Sequence, residues 1–202
     1  MRPVAALCLA LALHGCAPGP QSASQSSQSA SQSAAQPAGL RAPDVPYEPS
    51  APDVVRAMLE LARVTDRDVV YDLGCGDGRI VIAAALERRA RGVCVDIDPQ
   101  RIAEARRNAA RAGVADRIEF RTEDLFTTEL RGASVVMLFL WPEVNLKLRP
   151  RLEGELAPGA RVVSHWHDMG DWKAEQTVRP PGQGRRGAVY LWRIGARPGP
   201  GA

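Results

Sequence analysis

The feature that most constrains the fold of this chain is a glycine-rich turn that joins an apolar strand to a helix. The turn reads Asp72-Leu-Gly-Cys-Gly-Asp-Gly78 and overlaps the end of the short apolar run at residues 69–73. Glycines in such a turn let the backbone bend sharply and approach a ligand closely. Arg79 is expected to open the following helix and to pair with a nearby acid. The pattern predicts an α/β domain with a ligand site at the carboxyl end of this strand.

Strand-like and helical patterns alternate along the rest of the chain. They predict strands at 69–73, 92–97, 118–121, 134–140 and 160–164, helices at 79–89 and 99–112, and a broken helical stretch at 143–156. Residues 175–179 and 188–193 flank a loop rich in Gly and Arg and predict an antiparallel hairpin. Strands that are apolar throughout indicate a sheet covered on both faces. We therefore predict a Rossmann-like, doubly wound α/β fold with a mostly parallel seven-stranded sheet and a C-terminal antiparallel hairpin.

A further helix precedes the first strand, and its start carries a capping pattern. Ser50 is expected to cap this helix, Pro52 suits its first turn, and Asp53 is expected to complete a capping box. The apolar residues that follow, as far as Ala62, keep helical spacing.

Two acids at the strand ends and one in the turn bear on the ligand. Asp96 lies at the end of the second strand, 24 residues after Asp72, and can accept hydrogen bonds from both hydroxyls of a ribose. The third glycine comes one residue earlier than in a dinucleotide-binding turn, and Asp77 would repel a pyrophosphate. A sulfonium cation without phosphate suits this acidic turn, so the charges favour S-adenosylmethionine (SAM) over NAD. The Asp72 carboxylate can then face the ammonium group of the amino-acid part of SAM.

Three segments resemble the first three motifs of class I SAM-dependent methyltransferases. They are Asp72-Leu-Gly-Cys-Gly-Asp-Gly-Arg79, Val95-Asp-Ile-Asp-Pro99 and Glu123-Asp-Leu-Phe126, and the likeness covers residues 44–194. It implies that Ile97 packs on the adenine ring. It also implies that Asp124 and Leu125 contact the adenine, with the Asp124 carboxylate accepting from the exocyclic amine.

A narrower likeness is to the small protein-lysine methyltransferases that modify the ATP synthase c subunit and the adenine nucleotide translocase. It rests on Val45-Pro-Tyr-Glu-Pro-Ser50, on Val69-Val-Tyr-Asp-Leu-Gly-Cys-Gly-Asp-Gly-Arg-Ile-Val81 and on Gly159-Ala-Arg-Val-Val-Ser-His165. The likeness implies an amine as the methyl acceptor, and it places Tyr47 at the site because the Tyr-x-Pro-Ser segment covers the cofactor in that family. The expected cofactor-binding residues are then Tyr47, Asp72, Gly74, Cys75, Gly76, Asp77, Gly78, Asp96, Ile97, Asp124 and Leu125.

The fourth strand departs from the Asp/Asn-Pro-Pro-Tyr/Phe sequence that many amine methyltransferases carry there. It ends in Phe139-Leu-Trp-Pro-Glu143. Phe139 and Trp141 are expected to flank the acceptor amine and to stabilise the methylated cation by cation–π contact, with Glu143 orienting it. Trp141 and Glu143 are the candidate catalytic residues, and the alternative is that Phe139 and Trp141 belong to the core.

The cysteines and histidines do not predict a metal site. Cys75 and Cys94 lie in the part expected to fold, no Cys-x-x-Cys pair suggests zinc, and the pattern is not that of a disulfide framework. Cys75 is interpreted as a turn residue whose size matters more than its thiol. His165 and His167 lie two residues apart, on one face if both are in a strand, but no third ligand accompanies them. We therefore predict no metal.

The N-terminal residues differ in composition from the rest. One Arg precedes an apolar run at 4–13, and Leu13-His-Gly-Cys16 resembles a bacterial lipobox, which implies cleavage before Cys16 and lipidation of that residue. The predicted organisation is a leader at 1–16, a disordered linker at 17–43, rich in Ser, Gln, Ala and Pro, a methyltransferase domain at 44–195 and a flexible tail at 196–202. The expected location is that of a membrane-anchored lipoprotein. A cytoplasmic enzyme is the alternative if the start codon is misassigned.

Charge and composition limit the partners. The 26 Lys and Arg and 23 Asp and Glu residues are interleaved and give a net charge of +3, which argues against nucleic acid as the main partner. The leading interpretation is a SAM-dependent methyltransferase that transfers a methyl group to an amine, with a protein lysine as the candidate acceptor and with membrane contact only through the lipid anchor. The alternatives are a tethered envelope protein that keeps the fold without catalysis and a small-molecule methyltransferase. Export conflicts with catalysis, because SAM is made in the cytosol.

Overall fold

The computed structural model describes residues 40–195. Within them the helices are α1 (Pro52–Leu61), α2 (Arg79–Arg88), α3 (Pro99–Arg111) and α4 (Pro142–Glu155). The strands are β1 (Val69–Leu73), β2 (Arg91–Asp96), β3 (Ile118–Thr122), β4 (Val135–Leu138), β5 (Arg161–His165), β6 (Gln176–Val178) and β7 (Val189–Arg193). None of these helices is long and apolar enough to cross a bilayer. The predicted leader with Cys16, the linker up to residue 39 and the tail lie outside the described residues.

The seven strands form one sheet in the order β3-β2-β1-β4-β5-β7-β6. The first five run parallel, and β7 is antiparallel to both of its neighbours, β5 and β6. The chain passes from β1 to β2 on one side and later reaches β4 on the other, so the strand order reverses at β1. In sheets of this kind a ligand binds at the carboxyl ends of the strands where the order reverses. The predicted Rossmann-like fold with its antiparallel hairpin is confirmed.

The central strands are apolar throughout because both faces of the sheet are covered. Along β4, Val135 and Met137 pack into the cluster that contains α1, while Val136 and Leu138 pack into the cluster that contains α4. Successive side chains of a strand point to opposite faces. All four are completely buried, so the sheet lies in the middle of the core and its strand ends are held in fixed positions.

Two helices differ from the prediction at particular residues. The N-cap of α1 is Ala51, which makes no side-chain capping bond, so the prediction that Ser50 caps this helix is wrong. The Ser50 hydroxyl lies instead 2.9 Å from Nδ1 of His165. The predicted interruption of the helical stretch at 143–156 is absent too, because α4 is continuous and passes through Pro150. Leu148 and Leu152, both completely buried, hold the helix on the sheet despite the hydrogen bond that proline removes.

A disulfide joins Cys75 in the glycine turn to Cys94 in β2, with 5.3 Å between their Cα atoms. The interpretation of Cys75 as a residue chosen for its size is therefore wrong. The two cysteines meet because the turn folds back along β2, where the Cys75 amide donates to the Val95 carbonyl at 2.9 Å. A separation of 19 residues across a turn, the helix α2 and part of β2 does not reveal this proximity in the sequence.

Candidate active site

The glycine turn lies at the carboxyl end of β1 and is shaped by hydrogen bonds to β2. The amides of Gly74 and Cys75 both donate to the Val95 carbonyl, at 2.8 and 2.9 Å. The three glycines of the turn have φ values of 82°, 54° and 79°, which side chains rarely adopt. Space is short as well, since a Cβ at Gly76 would lie 2.3 Å from Cε2 of Tyr47. Tyr47 therefore lies directly on the turn.

Asp96, the last residue of β2, is held by the main chain. Its Oδ2 accepts from the Gly76 amide and its Oδ1 from the Asp98 amide, both at 2.9 Å. Burial raises the pKa of Asp96, although these hydrogen bonds oppose the rise. Each carboxylate oxygen has a second lone pair. The carboxylate is thus fixed in place with one acceptor position per oxygen left for the two hydroxyls of a ribose.

Asp72, near the end of β1, is a buried carboxylate with an unsatisfied oxygen. It is 2% exposed, and its Oδ2 has no hydrogen-bond partner among the described residues. Burial raises the pKa of Asp72 well above its ordinary value, and the negative charges of Asp96 and Asp77 raise it further. Together with Ser50 and Phe139, Asp72 lines a small cavity at the turn. An ammonium group in this cavity would satisfy the unpaired oxygen, whose burial otherwise costs free energy.

Asp77 in the turn is paired with Arg79. Nη2 and Nε of Arg79 donate to the two Asp77 oxygens at 2.7 and 3.0 Å. Burial alone would raise the pKa of Asp77, but the guanidinium holds it below its ordinary value. The expected pairing of Arg79 with a nearby acid is confirmed. Arg79 also donates from Nη1 to the Ser50 carbonyl at 2.8 Å, which ties the segment before α1 to the turn.

A larger cavity of about 380 Å³ adjoins the turn, within the size range of small-molecule and cofactor sites. Six of the predicted cofactor-binding residues line it: Tyr47, Gly74, Asp96, Ile97, Asp124 and Leu125. Ile97 and Leu125 contribute apolar surface of the kind that packs on a flat ring. Tyr47, Gly74, Glu48 and Phe139 line both this cavity and the small one, so the two cavities meet at these residues.

Arg41 occupies the Asp124 side of the larger cavity, and the sequence patterns did not identify it. Its Nε donates to Asp124 Oδ2 at 2.6 Å and its Nη2 to Oδ1 at 3.0 Å. Its guanidinium carbon lies 5.2 Å from the centre of the Phe126 ring. Burial alone would raise the pKa of Asp124, but Arg41 and the Phe126 amide hold it below its ordinary value. Arg41 belongs to a segment whose composition predicts a linker, so only the three-dimensional contact reveals its place.

The remaining predicted site residues surround the cavities in different ways. Gly78 lies under the site: a Cβ there would be 2.9 Å from Cβ of Ala105, so its small size lets α2 approach α3. Cys75 lines the small cavity and forms the disulfide. Trp141 and Glu143 are exposed at the start of α4, and neither lines a cavity around the turn.

His165 and His167 do not share a strand face, because β5 ends at His165 and Trp166 turns the chain with a φ of 67°. Both ring nitrogens of His165 are engaged, with Ser50 Oγ and with the Arg186 carbonyl. Burial lowers the pKa of both histidines. Between residues 40 and 195, no group of three or more His, Cys, Asp or Glu side chains is placed to hold a metal ion.

The two cavities and their carboxylates fit SAM at both ends of that molecule. The orphaned oxygen of Asp72 suits the ammonium group, and Asp96 suits the ribose at the start of the larger cavity. Among residues 40–195, the guanidinium beside the turn, that of Arg79, is paired with Asp77. The fold and this site together define a SAM-dependent methyltransferase.

Comparisons with known proteins agree with this class. The sequence profile of the ANTKMT methyltransferase domain matches residues 72–176. A protein-lysine N-methyltransferase of Saccharolobus islandicus is 43% identical over 154 residues, which are 76% of this chain and 96% of the relative. The adenine nucleotide translocase lysine N-methyltransferase of Mus musculus is 36% identical over 66% of this chain, which spans 58% of that relative. An RNA methyltransferase from Salinibacter ruber, solved with S-adenosyl-L-homocysteine, has 50% sequence identity and a TM-score of 0.70 over 75% of this chain and 97% of that one.

This chain therefore belongs to the ANTKMT methyltransferase domain family, and SAM is its methyl donor. The predictions of a SAM-dependent methyltransferase and of SAM as its cofactor are confirmed.

Proposed function

We propose that the methyl acceptor is an amine, and that this amine is the side chain of a protein lysine. The names of the Saccharolobus and mouse relatives support a lysine acceptor. Within the chain, the observation that carries the proposal is the aromatic and acidic surroundings of the point where the two cavities meet. When bound, SAM supplies an electrophilic methyl group on its sulfonium. The residues proposed to surround that group are those that line both cavities.

One aromatic side chain on the proposed acceptor side, Phe139, lines both cavities. Trp141, which is 49% exposed, follows two residues later as the N-cap of α4 and lies outside both linings. An aliphatic chain can pack between such rings, and a methylated ammonium gains cation–π attraction from them. Apolar surroundings and the nearby sulfonium both lower the pKa of an amine, and only the neutral amine can attack the methyl group.

Two carboxylates of this region form no ion pair between residues 40 and 195. Glu48 lines both cavities, and Glu143 lies in the first turn of α4. Burial lowers the pKa of His167, while the charges of Asp168, Glu143 and Glu48 oppose this change, so all three carboxylates lie near that ring. Their negative charge would attract a lysine ammonium and orient it before it loses its proton.

The test is methyl transfer from radiolabelled SAM by the full-length chain to three acceptors: lysine-containing peptides, the same peptides with acetylated lysines, and RNA. We expect label only in the unblocked peptides, located at the lysine Nζ by mass spectrometry. RNA is included because of the name of the Salinibacter relative. Label in RNA, or equal label in acetylated peptides, would refute a lysine acceptor.

Trp141→Ala should lower turnover roughly tenfold, the scale of one desolvated cation–π contact, with an unchanged dissociation constant for SAM. Leu86→Ala is a matched control, because Leu86 is a similarly exposed apolar side chain, on α2. A weaker affinity for SAM in the Trp141 variant, with turnover at saturating SAM unchanged, would contradict the role on the acceptor side.

We also propose that the protein is exported and anchored through a lipid on Cys16. The lipobox-like sequence before Cys16 supports this location. The Cys75–Cys94 disulfide supports it too, since such bonds persist mainly in oxidising compartments. Mass spectrometry of the native protein should find an N-terminus at lipidated Cys16 and oxidised Cys75 and Cys94. An N-terminus near residue 40 or 45 with free thiols would instead establish a cytoplasmic enzyme.

A further inference from the structure

We propose that His165 is a positioning residue that holds the segment Tyr47-Glu-Pro-Ser50, here called the lid, over the cofactor turn. The inference depends on the binding of SAM and not on the identity of the acceptor. It assigns to His165 a role in cofactor affinity, although this side chain does not line either of the two cavities.

The hydrogen bonds of His165 determine its tautomer. The ring is 6% exposed at the end of β5, and its Nε2 lies 2.8 Å from the Arg186 carbonyl oxygen. A carbonyl only accepts, so Nε2 carries the proton. Nδ1 of the neutral ring is then an acceptor, and the Ser50 hydroxyl, 2.9 Å away, donates to it. One imidazole therefore links the lid to the loop that precedes β7.

Ser50 connects this imidazole with the cofactor turn. Its carbonyl accepts from Arg79 at 2.8 Å, and Arg79 holds Asp77 in the turn at 2.7 Å. At the other end of the lid, the Tyr47 ring lies against Gly76 so closely that no Cβ would fit. The lid is thus attached at Ser50 through both its hydroxyl and its carbonyl, and it covers the turn at Tyr47.

The Ser50 hydroxyl bonds to His165, and no side chain caps the helix α1 that begins next to it. Ser50 directly precedes Ala51, the N-cap of α1, and a serine at the N-cap position itself would satisfy a free amide of the helix. Here α1 has no side-chain cap, and the hydroxyl is directed to His165. Phe139, which lines both cavities, also packs on His165, with 4.0 Å between the ring centres. His165 therefore supports the lid and a wall of the site together.

Two substitutions at His165 separate its two hydrogen bonds. The amide of asparagine reaches about as far as Nδ1, and that of glutamine about as far as Nε2. His165→Asn can keep the bond to Ser50, whereas His165→Gln can keep the bond to the Arg186 carbonyl. Both substitutions remove the ring that packs on Phe139. A difference between the two variants in the KM for SAM therefore reports the loss of the bond between residue 165 and Ser50.

We expect His165→Gln to raise the KM for SAM about three- to tenfold, the effect of losing one net hydrogen bond, with kcat at saturating SAM much less affected. His165→Asn should stay closer to the unaltered chain. Ser50→Ala, which leaves the imidazole in place, should reproduce the effect of His165→Gln. The double variant Ser50→Ala with His165→Gln should have a KM for SAM no higher than that of either single variant, because both substitutions remove the same contact.

Ser134→Ala is the matched control, because it removes another serine side-chain bond, the part-buried one to Asp68 at 2.7 Å, at the opposite ends of the strands. It should lower the melting temperature without changing the KM for SAM. Equal effects of His165→Asn and His165→Gln on the KM, or an unchanged KM in Ser50→Ala, would overturn the proposal. Calorimetric titration of the unaltered chain with SAM keeps this outcome distinct from a failure to bind the cofactor at all.

Discussion

At the scale of single residues, the site depends on carboxylates that the rest of the protein treats differently. Asp96 is stabilised by two amides and Asp77 by a guanidinium, while Asp72 keeps an oxygen without a partner. Residues retained at the expense of stability are typical of functional sites. The positions of Asp72 and Asp96 at strand ends were predictable from the glycine turn, since parallel strands place their carboxyl ends along one edge.

Asp72→Asn should stabilise the SAM-free protein at neutral pH and weaken its binding of SAM. The folded-state pKa of Asp72 is raised by burial, so the folded state binds a proton more tightly than the unfolded chain does. The contribution of this group to the free energy of unfolding is therefore full below the unfolded pKa of about 3.9. It is lost as pH rises through the folded pKa. Thermal melting against pH, together with calorimetry, tests this; lower stability of the variant at neutral pH would contradict it.

Arg41→Ala should strengthen the binding of SAM. The two bonds from Arg41 to Asp124 occupy acceptor positions that the exocyclic amine of adenine would use in the role that the family resemblance implies for Asp124. The pair is partly exposed, and such pairs contribute at most about 1 kcal/mol, which limits the gain to roughly fivefold. Calorimetric titration measures it, and weaker binding would show that Arg41 packs on the bound adenine instead.

At the scale of secondary-structure elements, most of the fold followed from the sequence because the core dictates it. The strands from β1 to β5 are apolar wherever both faces are covered, as in β4, and that pattern is visible without a structure. The features that could not be read from the sequence depend on long-range contacts. Ser50 does not cap α1, because its hydroxyl bonds to His165. Pro150 does not break α4, because the packing of Leu148 and Leu152 outweighs its unfavourable helix propensity.

The disulfide is such a long-range contact, and its removal should show what it contributes. Cys75→Ser with Cys94→Ser should lower the free energy of unfolding by about 3 kcal/mol, as expected for a closed loop of roughly this length. The bond joins the turn to the strand that carries Asp96, so the affinity for SAM should fall as well. Denaturant titrations with and without a reducing thiol measure the effect. The unaltered chain should respond to the thiol and the double variant should not, and equal stability of the two oxidised proteins would contradict the expectation.

At the scale of the whole molecule, the candidate cofactor site is built by distant parts of the chain. Tyr47 comes from the segment before α1, Asp72 and Asp96 from the sheet, and Asp124 from the region after β3. A ligand that binds all of these parts stabilises the folded state as a unit.

SAM should therefore raise the melting temperature of the full-length chain. At a concentration about one hundred times its dissociation constant, the stabilisation should be near 2.7 kcal/mol. NAD at the same concentration should have little effect, because Asp77 and Asp72 disfavour a pyrophosphate near the turn. Scanning fluorimetry with both ligands tests this, and a larger shift with NAD would contradict the assignment of the cofactor.

Arg41 and Tyr47 both line the larger cavity, and both belong to the segment before α1, at the N-terminal end of the described residues. Mechanical tension applied to the chain from its N-terminal side would therefore reach these lining residues before it reached the strands. Attachment of the N-terminus to a surface would load the Asp124 side of the cavity first, because Arg41 bonds to Asp124.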